Sequence, residues 1–176
     1  VIDDKNRELQ IKKLKVELKE EMDMAKKIAI IEKITEIKKG SVIDERKELS
    51  SGFDVGINSD VISGYEKAKG IEMAVRTLSP EIIVCDEIGN LPEVNAIKFG
   101  FSSGASFILS VHLKSVEDIV RNKILKELIM TGEFSYIVFL KGVNKGYDVI
   151  ELTEEEIEGN RNFNVNGNIY PYINSN

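Results

Sequence analysis

Of 176 residues, one is cysteine (Cys85), one is histidine (His112), three are proline and none is tryptophan. A single cysteine excludes a framework of internal disulfides and fits a reducing cytosol. Cys85 lies inside an apolar run, so it reads as a small core residue and not as a nucleophile. No apolar run is long enough to span a bilayer. The start, Val1-Ile2-Asp3-Asp4, has neither the basic segment nor the apolar core of a secretory signal. It also lacks an initiator Met, which suggests a processed chain or a fragment. A cytoplasmic protein, peripheral to a membrane at most, is the expected setting. The first glycine is Gly40, so the opening 39 residues contain none. There is no internal repeat.

Acidic and basic residues are unevenly spread. Residues 1–40 carry 11 basic and 9 acidic side chains, a net of +2, and the other 136 carry 13 and 21, a net of −8. An acidic main body argues against a nucleic-acid partner held through a broad basic face. The mixed-charge opening segment is equally unsuited to lying on a membrane surface.

From Lys5 to Lys39 the chain is rich in Lys, Glu, Leu and Ile. Leu14, Leu18, Met22, Ala25, Ile28, Ile31, Ile34 and Ile37 recur at steps of three or four, the stripe of one long helix. Lys38-Lys39 and Gly40 suit its C-terminus. The stripe either docks on the main body or pairs with another subunit as a coiled coil.

From Ser41 short apolar runs alternate with helical segments, the pattern of βα units and a mainly parallel sheet. Val42-Ile43 opens a strand ending at Asp44-Glu45-Arg46. Residues Ser50–Gly64 read as a polar loop and Glu66–Leu78 as a helix. Glu81–Cys85 reads as a buried strand, followed by a helix from Pro92 to Phe101 and a third buried strand, Ser106–Val111. Ser115 is placed to cap a long helix bearing Val116, Ile119, Val120, Ile124, Leu128 and Ile129. Tyr136–Leu140 and Tyr147–Leu152 read as a closing hairpin. The Asn-rich end is expected to fray, or to add an edge strand through Phe163 and Val165. Three regions are expected: a charged helical extension over 1–40, an α/β core over 41–158 and a flexible tail over 159–176.

The chemistry concentrates at Glu81-Ile82-Ile83-Val84-Cys85-Asp86-Glu87, where four apolar residues run into two adjacent carboxylates. Open α/β sheets bind ligands at this end of their strands. In P-loop nucleoside triphosphatases such a pair is the Walker B element, whose Asp helps hold Mg²⁺ while a following Glu orients the attacking water. The plainer reading is a buried strand ending in a solvated acidic turn. Three further features favour the first. Asp44-Glu45 ends another strand and would share the rim, and converging carboxylates suit a hard cation. His112, just past the third strand, would reach the same rim, although a lone His is more often structural. Arg76, near a helix end, has the chemistry to stabilise charge on a transferring phosphoryl group, often in a neighbouring subunit, and otherwise is a surface residue.

Val42 to Leu49, then Asp60-Val61-Ile62, then Lys67 to Gly89 closely resemble, in order and spacing, the stage III sporulation protein AA family. The likeness covers roughly residues 38–150. That family comprises RecA-like ATPases similar to those of type II and type IV secretion. The resemblance implies an α/β, RecA-like, mainly parallel sheet flanked by helices, incomplete on its N-terminal side, with a long N-terminal helix and a C-terminal β-hairpin. It implies ATP and Mg²⁺ as ligands, with Asp86 holding the metal and Glu87, Glu45, Arg76 and His112 as catalytic residues. It further implies a homo-oligomeric ring that energises a membrane-associated channel complex between mother cell and forespore.

The chain departs from that family pattern in one important respect. A Walker A loop, GxxxxGK[ST], belongs on the order of 25–30 residues before Val42, and Leu14–Lys33 contains no glycine. A phosphate cradle needs glycines so that successive backbone N–H groups face the anion, and a Lys beside them. Lys26-Lys27, set within a helical pattern, do not build one. A catalytically inactive RecA-like scaffold or partner-binding module is therefore the alternative expectation. Smaller departures are Ser110 to Leu113, where a small residue and Gly usually flank the His, and a short loop before Asp60.

Overall fold

The computed structural model describes residues 31–50, 55–113, 115, 118–119, 121–140 and 147–152, and the backbone of 169–172. Four strands form a parallel sheet: β1 (Gly40–Asp44), β2 (Ser59–Ser63), β3 (Ile82–Cys85) and β4 (Ser106–Leu109), in the order β2-β1-β3-β4. Helix α1 (Lys67–Thr77) carries the chain from β2 to β3, and α2 (Leu91–Ser102) from β3 to β4. Mixed α/β architecture with a parallel sheet is thus what the alternation of runs and helices called for.

Strand burial explains why those runs are continuously apolar. Every residue of β1 and β3 is buried, because both faces of the sheet are covered. Ile43, Ile83, Cys85 and Phe107 face α1 and α2, packing on Ile71, Ala74, Val94 and Ile97. Val42 and Val84 face the other way, onto Ile31, Leu49 and Val55, while Ile82 packs on Ile34. Residues 31–35 are helical, and so the last part of the N-terminal stripe docks on the sheet. Its remainder, with any coiled-coil role, lies outside the described residues.

Close approach is built in at Gly70. A Cβ there would come within 2.9 Å of the Ile43 side chain, so α1 lies nearer the sheet than any other residue allows. Asn90 caps α2 by accepting from the Glu93 amide at 3.0 Å, and Glu93 answers by accepting from the Gly89 amide and the Asn90 side chain, each at 2.8 Å.

Two expectations are corrected. Ser50–Gly64 is not all loop, because Ser59–Ser63 form β2, paired in register with the whole of β1. Its pattern of partly exposed residues, typical of an outer strand, hid it among polar neighbours. The long helix from Ser115 is instead a short α3 (Lys123–Ile129), capped by Asn122, whose side chain accepts from the Leu125 amide at 2.9 Å. A better cap seven residues later starts the helix there.

A second sheet follows. Strands β5 (Tyr136–Leu140) and β6 (Tyr147–Glu151) form the expected antiparallel hairpin. β7 (Ile169–Tyr172) pairs with β6 on its other side, so the tail does add a strand, further along than the Phe163–Val165 stretch considered for one. Residues 153–168, including Phe163 and Val165, lie outside the described residues. Ile119, Leu125, Ile129, Ile150 and Leu152 make this sheet's own small core, with α3 presenting Leu128 to the main one.

Candidate functional site: an acidic rim at the strand crossover point

The chain leaves β1 toward one edge of the sheet and leaves β3 toward the other, so the strand order reverses between them. A crevice opens outside the carboxyl ends of neighbouring strands at such a point. Here it is lined by Ile43, Asp44, Glu45, Arg46, Lys67 and Asp86, together with Glu48, Leu49 and Glu87. Carboxylates from two separate strands therefore meet at one pocket.

They do so in different states. Asp44 is buried, and its carboxylate is saturated. It accepts from the backbone amides of Glu48, Leu49 and Ser50 at 2.9, 3.1 and 2.7 Å, and from the Ser50 hydroxyl at 2.7 Å. Burial raises its pKa, but these hydrogen bonds outweigh burial and hold the carboxyl below the ordinary carboxylate value. Asp44 is the organiser of the 45–50 loop. Glu45 and Glu87 instead project into the crevice. Glu45 Oε2 lies 3.7 Å from Lys67 Nζ, and Glu87 Oε2 lies 3.7 Å from an Arg46 guanidinium nitrogen.

Lys67 and Ser110 knit the rim together. Lys67, at the first turn of α1, donates to the Glu87 carbonyl at 3.0 Å while facing Glu45. Ser110 donates its hydroxyl to Asp86 Oδ1 and accepts the Glu87 amide on the same oxygen at 2.9 Å. Its carbonyl accepts the Ile88 amide at 2.8 Å. Sequence reasoning gave neither residue a role. The signal for Ser110 was present, since β3 and β4 are aligned with Cys85 opposite Leu109, which makes Asp86 and Ser110 the next pair.

Of the expected site residues, Glu45, Asp86 and Glu87 come together. His112 does not line the crevice: it is exposed, two residues beyond Ser110. Arg76 lies toward the opposite, N-terminal end of the strands. Its neighbour Leu78 gives its carbonyl to Lys39, the residue before β1, whereas Lys67 at the other end of α1 lines the rim. Arg76 is exposed, 4.0 Å from Glu72 and stacked 5.6 Å from the Phe99 ring centre. Within one chain it cannot reach the crevice. Cys85 is buried beneath the rim, and burial pushes its thiol up to about 12, so it is inert.

Among the described residues, no three of His, Cys, Asp and Glu are grouped so as to hold a metal ion by themselves. Mg²⁺ does not require that, because it keeps several waters and takes one or two carboxylates together with phosphate oxygens. Asp86, with Glu45 and Glu87 lining the same crevice, is the residue that could hold such an ion.

An open parallel sheet flanked by helices, with an acidic rim at its crossover point, makes this an α/β domain whose carboxylates stand where such sheets bind ligands. The family model described as "Sporulation stage III, protein AA" matches residues 14–159, and the chain belongs to that family. The stage III sporulation protein AA of Bacillus subtilis (strain 168) is 35% identical over 68 residues. Those residues make up 39% of this chain and 22% of that relative, so well under half of the relative's length is spanned. No solved structure matches. Among the described residues, no helix is long and apolar enough to cross a membrane.

Proposed function

We propose that the chain is an ATPase subunit of the stage III sporulation AA type, working as a homo-oligomer to energise a membrane-associated channel complex. The observation that carries this reading is the meeting of Glu45, Asp86 and Glu87, from two strands, at one crevice where the strand order reverses. When bound, Mg²⁺ supplies neutralisation of charge on the β- and γ-phosphate oxygens. Asp86 offers the direct carboxylate for it. Glu87 and Glu45 are the groups able to accept a proton from, and so orient, a water at the rim. Lys67, less exposed than Arg46, is the better shielded of the two cations lining the crevice and adds positive charge among its carboxylates.

A second reading has its own support. No glycine precedes Gly40, so residues 1–39 contain no GxxxxGK[ST] sequence of the kind that cradles phosphate. On this reading the chain is a non-hydrolysing module that keeps the fold and a partner surface. Calorimetry with Mg-ATP, paired with phosphate release, separates the two. Saturable binding, with turnover lost and binding retained in Glu87→Gln, supports the ATPase. Absence of saturable binding at millimolar nucleotide supports the module.

A further inference from the structure

Glu87 has φ 49°, in the left-handed region, although it is not a glycine and is followed two residues later by one, Gly89. A long side chain with a Cβ resists that conformation, and strain of this kind persists only where the surroundings over-determine it. They do so here from both sides of the residue. The amide of Glu87 is taken by Ser110 Oγ at 2.9 Å, beyond β4, and its carbonyl is taken by Lys67 Nζ at 3.0 Å, from α1. Ser110 also grips the residues before and after, Asp86 by its hydroxyl and Ile88 by its carbonyl. The Glu87 side chain itself stays exposed, so packing is not what fixes its direction.

We propose that Ser110 and Lys67 are positioning residues, a two-sided backbone clamp that aims the Glu87 carboxylate into the crevice. The proposal rests on the reading that Glu87 orients water, and it adds two residues to that reading. With the clamp released, Glu87 relaxes to negative φ, its Cβ vector turns and the carboxylate leaves the rim. Neither clamp residue need touch the reacting atoms.

Two readouts on the full chain test it. The first needs no nucleotide. At positive φ the amide and α protons of one residue are close, and so Glu87 should give a strong intraresidue HN–Hα NOE. That NOE should weaken in Ser110→Ala and in Lys67→Met, and return in Ser110→Thr and Lys67→Arg. The second is Mg-ATP turnover: Ser110→Ala should lower kcat by about 10² with little change in KM, as expected for misplacement of a reacting group, and Ser110→Thr should recover most of it. A strong NOE persisting in Ser110→Ala/Lys67→Met, or an unchanged kcat in Ser110→Ala, overturns the clamp. A wild-type chain without turnover defeats the ATPase reading alone, and the NOE series then decides the clamp by itself.

Discussion

Asp44 and Ser50 are joined twice: the Ser50 amide and the Ser50 hydroxyl both donate to the same carboxylate oxygen, each at 2.7 Å. With the amides of Glu48 and Leu49 completing the set, a buried acid at the end of β1 shapes the loop that carries Glu45 and Arg46 to the rim. Asp44→Ala leaves these donors facing a void and should cost about 3 kcal/mol of stability, the scale for hydrogen bonds to a charged buried group. Urea unfolding with an unchanged m-value would measure this. A loss under about 0.5 kcal/mol would mean the loop holds its shape without the acid.

The same residue makes stability depend on pH. Its folded pKa is depressed below the ordinary value of 3.8. Its contribution is therefore complete above that value and disappears as pH falls through the lower folded pKa. Wild type should lose stability toward Asp44→Ala on acidification below pH 4, so the two unfolding curves should converge there. Curves that stay parallel would place the linkage on other carboxylates.

Gly100 stands on α2 against β4. A Cβ there would collide with the Phe107 ring, and that ring is held edge-on to Phe101 with centroids 4.9 Å apart. Gly100→Ala gains about 1 kcal/mol in helix propensity but must push α2 off the sheet. Overpacking of this sort costs about 1–3 kcal/mol, so the net change should be zero to destabilising, read as a lowered midpoint in urea. A raised midpoint would show that Phe107 has room to rotate.

What could be read from the residues follows from how local each signal is. Runs such as Ile82–Cys85 declare a strand because burial on both faces demands unbroken apolar residues. Strand ends declare where carboxylates go, which is why Glu45, Asp86 and Glu87 were foreseen together. β2 stayed hidden because its residues are only partly buried, leaving Ser-Asp-Val-Ile-Ser without a run or an alternation to notice. The clamp was hidden for a different reason. Lys67 and Ser110 act on the Glu87 backbone across 20 and 23 residues of sequence, and no pattern in the chain encodes which main-chain group a side chain will find. His112 misleads because a rare residue draws attention, whereas the less conspicuous Ser110, opposite Asp86, occupies the rim.

Arg76 poses a question of assembly. It sits at the end of α1 away from the crevice, so any catalytic role must be played on a neighbouring copy's nucleotide. On the ATPase reading, Arg76→Ala should lower turnover by about 10³, the lower bound for arginine fingers. Mixing Arg76→Ala with Glu87→Gln should then restore activity that neither variant has alone, because some interfaces pair an intact Glu87 with an intact Arg76. Phosphate release from mixed and unmixed samples measures it. No recovery on mixing, or full activity in Arg76→Ala, returns this residue to its visible contacts with Glu72 and Phe99.

Cys85 provides an internal gauge of how firmly the rim is closed. It ends β3 directly beneath Asp86, is 2% exposed, and burial is the main reason its thiol is pushed from 9.0 to about 12. A thiol held that high is almost wholly protonated at pH 8, and the thiolate is the species that reacts. Alkylation of the native chain at pH 8 should therefore proceed only through opening events. Gly100→Ala and the clamp variants distinguish two kinds of opening. Should Cys85 become accessible through global unfolding, labelling should accelerate in Gly100→Ala in proportion to its lost stability. Should a local parting of the rim suffice, Ser110→Ala should accelerate labelling well beyond its effect on the urea midpoint. The hydrogen bonds that join Ser110 with Asp86, Glu87 and Ile88 favour the local route, since they tie the end of β3 to the end of β4 just above the thiol. Stoichiometric labelling of wild type at the rate of a free thiol would contradict both routes, along with the burial of β3 from which the site is built.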